Sequence, residues 1–139
     1  YIYIQTHRFR ERINYKVTGD KNCYFALIPS MILQPLVENA IIHGIENLEF
    51  GGLIVVDTKK KYDTLYLRIF DNGVGISKEM QKTIMEGKIE KHTGHTTAIG
   101  LSNIIARVNL IQGGTFRICS SPRYGTMIQI VFPIMTGEL

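Results

Sequence analysis

Tryptophan is absent, and cysteine and proline are scarce: two Cys and four Pro in 139 residues. Cys23 and Cys119 are far apart and show no metal-ligand spacing. That excludes a disulfide scaffold and a cysteine-rich zinc module, and leaves two buried free thiols in a reducing cytoplasm as the expectation. No uninterrupted apolar run approaches the roughly 18 residues that suggest a membrane span. The opening Tyr1-Ile2-Tyr3-Ile4-Gln5-Thr6-His7-Arg8 lacks the basic-then-apolar layout of a signal peptide. It also lacks an initiator Met, as expected of a fragment cut from a longer protein. Internal repeats, low-complexity tracts and regular basic–aromatic interleaving are missing too, so no nucleic-acid partner is expected.

What remains is ordinary globular composition, 45% hydrophobic and 20% charged, with a mean hydropathy of +0.03. The length fits one domain with a real core. Lys and Arg number 16 against 12 Asp and Glu, a net charge of +4. Such a balance suits an anionic ligand, and solubility explains it equally well. The densest basic run, Lys59-Lys60-Lys61, lies between two strand-like segments and reads as a solvated turn.

Periodicity gives the element order. Arg12 to Thr18 alternates polar and apolar, which predicts a strand ended by Gly19-Asp20. Pro29-Ser30 opens a helix reaching about Glu46, with Leu33, Leu36, Val37, Ala40, Ile41 and Gly44 on its core face. Leu53–Thr58 and Leu65–Phe70 read as strands joined by the lysine turn. Asp71 to Ile76 is a Gly-rich loop, and Ser77 caps a short helix carrying Met80, Ile84 and Met85. Gly87 to Thr97 is polar and irregular. A second strong helix starts near Ile99, with Leu101, Ile104, Ile105, Val108 and Ile111 at helical spacing, and Gly113-Gly114 ends it. Phe116–Ser120 and Met127–Phe132 are the last strands, around a turn at Arg123-Tyr124-Gly125. Strand pairs separated by helices predict an α/β fold: one mixed sheet with helices packed on one face.

Three polar features interrupt this pattern. In Pro35-Leu36-Val37-Glu38-Asn39-Ala40-Ile41-Ile42-His43-Gly44, Asn39 and His43 fall one turn apart beside the apolar stripe. An Asn carbonyl is a hard oxygen ligand suited to Mg²⁺, though a solvated helix flank reads the same way. Asp71-Asn72-Gly73-Val74-Gly75-Ile76 follows a strand directly. Its glycines permit close ligand approach, and its carboxylate suits an exocyclic amine; a plain Asn-Gly turn is the other reading. Ala98-Ile99-Gly100-Leu101-Ser102-Asn103 leads from the polar loop into a helix, where backbone amides suit phosphate, or where the chain is simply punctuated.

Together, in this order, these stretches resemble the nucleotide-binding domain of the GHKL superfamily: gyrase-type ATPases, heat-shock chaperones, mismatch-repair ATPases and histidine kinases. Within it the chain is most similar to sensor histidine kinases of the LytS/YehU-like group. The matching residues are Arg8-Phe9, Leu33-Gln34-Pro35-Leu36-Val37-Glu38-Asn39-Ala40 with His43-Gly44, Asp71 to Ile76, Gly100 to Asn103, and Tyr124-Gly125-Thr126. The resemblance implies a Bergerat-type two-layer sandwich, its mixed sheet mostly antiparallel, that binds ATP with Mg²⁺. By that resemblance Asn39 is the metal ligand and Asp71 reads the adenine amine. Gly73 and Gly75 shape the adenine pocket, Gly100 and Leu101 lie by the phosphates, and Thr126 lies beside the adenine. Gly87–Thr97 becomes a lid over the nucleotide. Its His92 and His95 alone make a poor metal site.

Departures sharpen the expectation. Relatives often carry a basic residue where Ile42 stands, so that phosphate contact is absent or falls to His43. Ala98 replaces the first glycine of the usual Gly-x-Gly-Leu box. Gyrase-type enzymes keep a glutamate four residues before the Asn as base for water; here that position is Pro35, and Glu38 points to another face. This argues for phosphoryl donation to a protein acceptor rather than hydrolysis. None of His7, His43, His92 and His95 has the surroundings of the family's acceptor histidine. Residues 1–10 are therefore expected to end a link from an upstream dimerisation and phosphoacceptor domain, with 11–139 the ATP-binding domain. The implied parent is a membrane-anchored homodimer that serves a response regulator and keeps this domain in the cytoplasm. A degenerate nucleotide-binding module and an anti-sigma-type serine kinase are the alternatives.

Overall fold

The computed structural model describes residues 13–24, 26–46, 48, 51–87 and 96–134. Its five strands are β1 (Ile13–Gly19), β2 (Gly52–Lys61), β3 (Thr64–Asp71), β4 (Thr115–Ser120) and β5 (Thr126–Pro133). They form one sheet in the order β1-β2-β3-β5-β4, with β1 parallel to β2 and every other pairing antiparallel. The helices are α1 (Leu33–Asn39), which continues as a π-helical segment over Ala40–Ile45, α2 (Lys78–Glu86) and α3 (Thr96–Asn109). This is the expected α/β sandwich.

Alternation decides which face each strand residue takes. Ile54, Val56, Leu65, Leu67, Ile69, Ile128, Ile130 and Phe132 are buried beneath Leu36, Val37, Ile41, Ile84, Leu101, Ile104 and Val108 of the helices. The opposite face of the sheet carries Val55, Asp57, Arg68, Phe70 and Met127, around a hollow that no described helix enters. Asp57 there pairs with Arg68 and accepts from the Thr18 hydroxyl at 2.8 Å. Burial raises the Asp57 carboxyl, but the Thr18 hydroxyl and the Arg68 guanidinium together outweigh it and hold the group below its usual value.

Several boundaries differ from the sequence reading. α1 begins at Leu33 rather than at Pro29-Ser30, because Met31 adopts a left-handed φ of 60° that no helix can carry. Pro35 is tolerated because it occupies the first turn, where its missing N–H has no helical partner. β2 runs through Lys61, so the lysines belong to the strand end. The turn is Tyr62-Asp63, with Tyr62 at φ 52°. α3 extends back to Thr96, which places Ala98 and Gly100 inside the helix rather than in a loop. Cys23 is half-buried and Cys119 exposed, both free, because Cys119 takes the outer face of edge strand β4. Ser77 caps α2 as expected, accepting from Met80 N–H at 3.2 Å, and Ile84 is its buried residue. The segment holding Lys88, Lys91, His92 and His95, and residues 1–12 with His7, lie outside the described residues.

Candidate functional site

The site begins with the last residue of β3. Leu65, Leu67 and Ile69 alternate onto the core face, and the same rhythm puts Asp71 there, between Ile54 and Thr126 on the flanking strands. Asp71 is only 5% exposed. Burial raises its carboxyl from the ordinary value near 3.8 to about 6, while backbone hydrogen bonds from Gly73 and Thr126 pull the other way. The Gly73 N–H reaches Oδ1 at 2.9 Å.

Two glycines make room for that carboxylate. A Cβ on Gly44 would lie 2.7 Å from Asp71 Oδ1, so only glycine lets the helix pass over it. A Cβ on Gly73 would come within 2.2 Å of the Gly44 carbonyl oxygen. The π-helical segment shifts bonding to five-residue steps: Glu46 N–H bonds the Ile41 carbonyl at 2.8 Å. The Gly44 carbonyl accepts from Val74 N–H at 3.0 Å, so the Gly-rich loop is fastened to the helix backbone.

Asp71 lies in the wall of a cavity of about 40 Å³. Leu36, Asn39, Ala40, His43 and Gly44 form the helical side; Ile69, Thr126 and Ile128 come from the sheet; Gly75, Ile76 and Leu101 close it. Of the sequence-predicted residues, Asn39, His43, Asp71, Gly75, Leu101 and Thr126 are thus brought together. Gly73 supports the cavity from behind, through Gly44. Gly100 lies beside the Asn39 carboxamide, where a Cβ would be 3.4 Å from Nδ2. Desolvation lowers the pKa of His43, partly offset by Glu46, which favours the neutral imidazole. No Lys or Arg lines the cavity among the described residues.

Glu38 is engaged with Gln34, whose Nε2 donates to Oε1 at 2.9 Å, and it does not line the cavity. The sequence reading missed Ser120 and Gln81. The Ser120 hydroxyl accepts from Ile76 N–H at 2.8 Å, and Gln81 Nε2 donates to the carbonyls of Ile76 and Ser120 at 2.8 and 2.9 Å. A signal for Ser120 was present: it shares the inward rhythm of Phe116 and Ile118, yet is polar. Nothing in the spacing marks Gln81.

The chain has relatives among known proteins. The chain is 36% identical over 135 residues to the sensor histidine kinase YesM of Bacillus subtilis, covering 96% of the chain and 22% of that protein. It is 31% identical over 134 residues to the sensor protein LytS of Staphylococcus saprophyticus, again with 96% and 22% covered. The chain thus spans about a fifth of the length of these two relatives. The fold is that of the nucleotide-free catalytic domain of histidine kinase ThkA, at TM-score 0.70 and 16% identity over 96% of this chain and 88% of that one. Residues 27–136 match the family described as histidine kinase-, DNA gyrase B-, and HSP90-like ATPase, and the chain belongs to that family.

Proposed function

We propose that this chain is the ATP-binding catalytic domain of a sensor histidine kinase, and that the cavity around Asp71 receives the adenine. The observation that carries the reading is a buried carboxylate, 5% exposed, facing a mostly apolar cavity. Among the described residues the only other charge-capable group lining it is the His43 imidazole, whose burial disfavours the cation. A buried acceptor of this kind favours a ligand edge that donates, such as an exocyclic amine. Gly73 and Gly75 hold the loop close, and Leu101, Ile69 and Ile128 offer apolar surface to a planar ring.

Asn39, at the end of α1 and beside Gly100, is the residue proposed to ligate Mg²⁺. The fit rests on donor chemistry: a half-buried carboxamide oxygen is a hard ligand. No group of three or more His, Cys, Asp or Glu gathers among the described residues. When bound, the ion screens triphosphate charge. His43 supplies a hydrogen-bonding group near Asn39, and its burial disfavours the cation. Gly100 and Leu101 are proposed to lie by the phosphates. Because they sit a full turn inside α3, the unpaired amides of that helix are the ones before them.

Pro35 occupies the place of a hydrolytic base, which favours transfer over hydrolysis. The γ-phosphoryl is proposed to pass to an imidazole nitrogen on an upstream helical segment of the parent, with the bond to the β-phosphate broken and the imidazole proton released. The parent is proposed to be a membrane-anchored homodimer that passes the phosphoryl to a response regulator. No described helix here is long and apolar enough to cross a membrane.

The test is a titration of the domain with ATP and ADP, with and without Mg²⁺. Binding of neither nucleotide overturns the reading. Asn39→Ala is expected to abolish the Mg²⁺-dependent part of the affinity; unchanged Mg²⁺ dependence shows that Asn39 is not the ligand. Ile42 is 45% exposed, an apolar side chain where the family resemblance implies a basic residue. That observation keeps a binding-only module as the second reading, favoured if the domain joined to its upstream helices binds ATP yet forms no labelled phosphohistidine.

A further inference from the structure

Asp71, Thr126 and Ser120 form one cross-strand row on the inner face of β3, β5 and β4. The Ser120 hydroxyl has one proton and two lone pairs. Its neighbours are the Ile76 N–H at 2.8 Å, the Gly125 carbonyl at 2.7 Å and Thr126 Oγ1 at 2.9 Å. The amide can only donate, so it takes one lone pair. The carbonyl can only accept, so it takes the proton. One lone pair is left for Thr126, whose hydroxyl must then donate to Ser120.

We infer that Ser120 is a specificity-determining positioning residue: by consuming the Thr126 proton it leaves Thr126 an acceptor toward the cavity. The inference rests on the ATP-binding reading of that cavity. Beside the Asp71 carboxylate, Thr126 completes a row of acceptors. A purine with an amino group at the six-position meets partners there, whereas a six-oxo group meets lone pairs and no hydroxyl free to turn toward it. The clamp is rigid. Gln81 Nε2 bonds the carbonyls of both Ile76 and Ser120, and Arg123 N–H bonds the Val74 carbonyl at 2.7 Å, which ties the Gly-rich loop to the β4–β5 turn. Ser120 does not itself line the cavity; it acts through Thr126.

The experiment compares ATP with inosine triphosphate, which differs at the six-position, by titration at pH 8. In Ser120→Ala the Thr126 proton is released to donate to a six-oxo group. ATP affinity is expected to change less than about threefold while the ATP-to-ITP preference falls about tenfold. Ser120→Thr, which keeps the hydroxyl, is expected to restore the preference. Thr126→Val in the Ser120→Ala background is expected to remove the gained ITP affinity. An unchanged preference in Ser120→Ala overturns the inference, as does an equal loss of both affinities. A second arm needs no nucleotide. In the free domain the Thr126 hydroxyl proton is expected to be slow to exchange by NMR, with a nuclear Overhauser contact to Ser120, and to lose both in Ser120→Ala. A Ser120 proton directed at Thr126 overturns the inference even if the cavity binds no nucleotide. Binding failure with a correctly directed Thr126 proton overturns only the ATP reading.

Discussion

Asp71 is held where its charge is least welcome, and this has a measurable consequence at the residue scale. Its folded pKa, about 6, exceeds the unfolded value near 3.8, so folding takes up a proton between about pH 4 and pH 6. Stability contributed by this group is therefore greatest below pH 4, falls as pH rises to 6, and is flat above, by up to about 3 kcal/mol in all. Urea midpoints measured from pH 4 to 8 are expected to show that decline. Asp71→Asn is expected to flatten it, with an undiminished slope assigning the titration elsewhere. The same substitution is expected to weaken adenine recognition, so a preference for ATP over GTP that survives it would remove Asp71 from the proposed base site. Asp71 was legible in the sequence because an acid stands directly after a strand and opens a Gly-rich loop. Ser120 was harder to read, since a serine at a strand end has many innocent explanations and its partners, Ile76 and Gly125, are far away in sequence or face it only through the turn.

Between elements, the decisive contact is backbone on backbone. Gly73 rests against the Gly44 carbonyl, and no side chain at Gly73 fits without moving the helix from the loop. Gly73→Ala is expected to lower stability by about 2 kcal/mol or more, as overpacking in a closed site does. Gly87 offers a control, because it has φ 65° but nothing within 4 Å of the place a methyl would take. There Ala is expected to cost only the left-handed penalty, about 1 kcal/mol. Equal losses in the two variants, read from denaturant midpoints, would show that the Gly44–Gly73 contact is not tight. In the core, Ile84→Ala is expected to cost about 2–5 kcal/mol, since its side chain is 1% exposed. Element types were legible throughout from period and punctuation. The π-helical segment was not, because its five-residue step answers to the tertiary bond between Gly44 and Val74 rather than to any local preference. The late start of α1 was hidden for a similar reason: nothing in Met31 announces a positive φ.

For the molecule as a whole, the row pattern of the sheet says where much of the charge lies. Lys16, Lys59, Lys61, Arg68 and Arg117 share the outer face with Asp57, on the side opposite the cavity. An anionic ligand in the cavity is therefore not held by that cluster. Saturating Mg-ATP at a hundredfold over its dissociation constant is expected to add about 2.7 kcal/mol of stability. A domain of this size should then melt roughly 10 °C higher. A thermal scan showing no shift at concentrations where titration reports binding would contradict the linkage. The edge position of β1 carries a last consequence, for the order of folding. β2 and β3 meet through a two-residue turn and β4 and β5 through a short one, so both hairpins close small loops. β1 can reach β2 only after the intervening chain, α1 included, has been gathered across the sheet, and parallel pairing of that range forms slowly. Like β4, it has a neighbour on one side only. Amide exchange in the native state should thus open β1 before the central β3, and refolding should register β1 among its late events, together with the helix that brings Asn39 to the cavity.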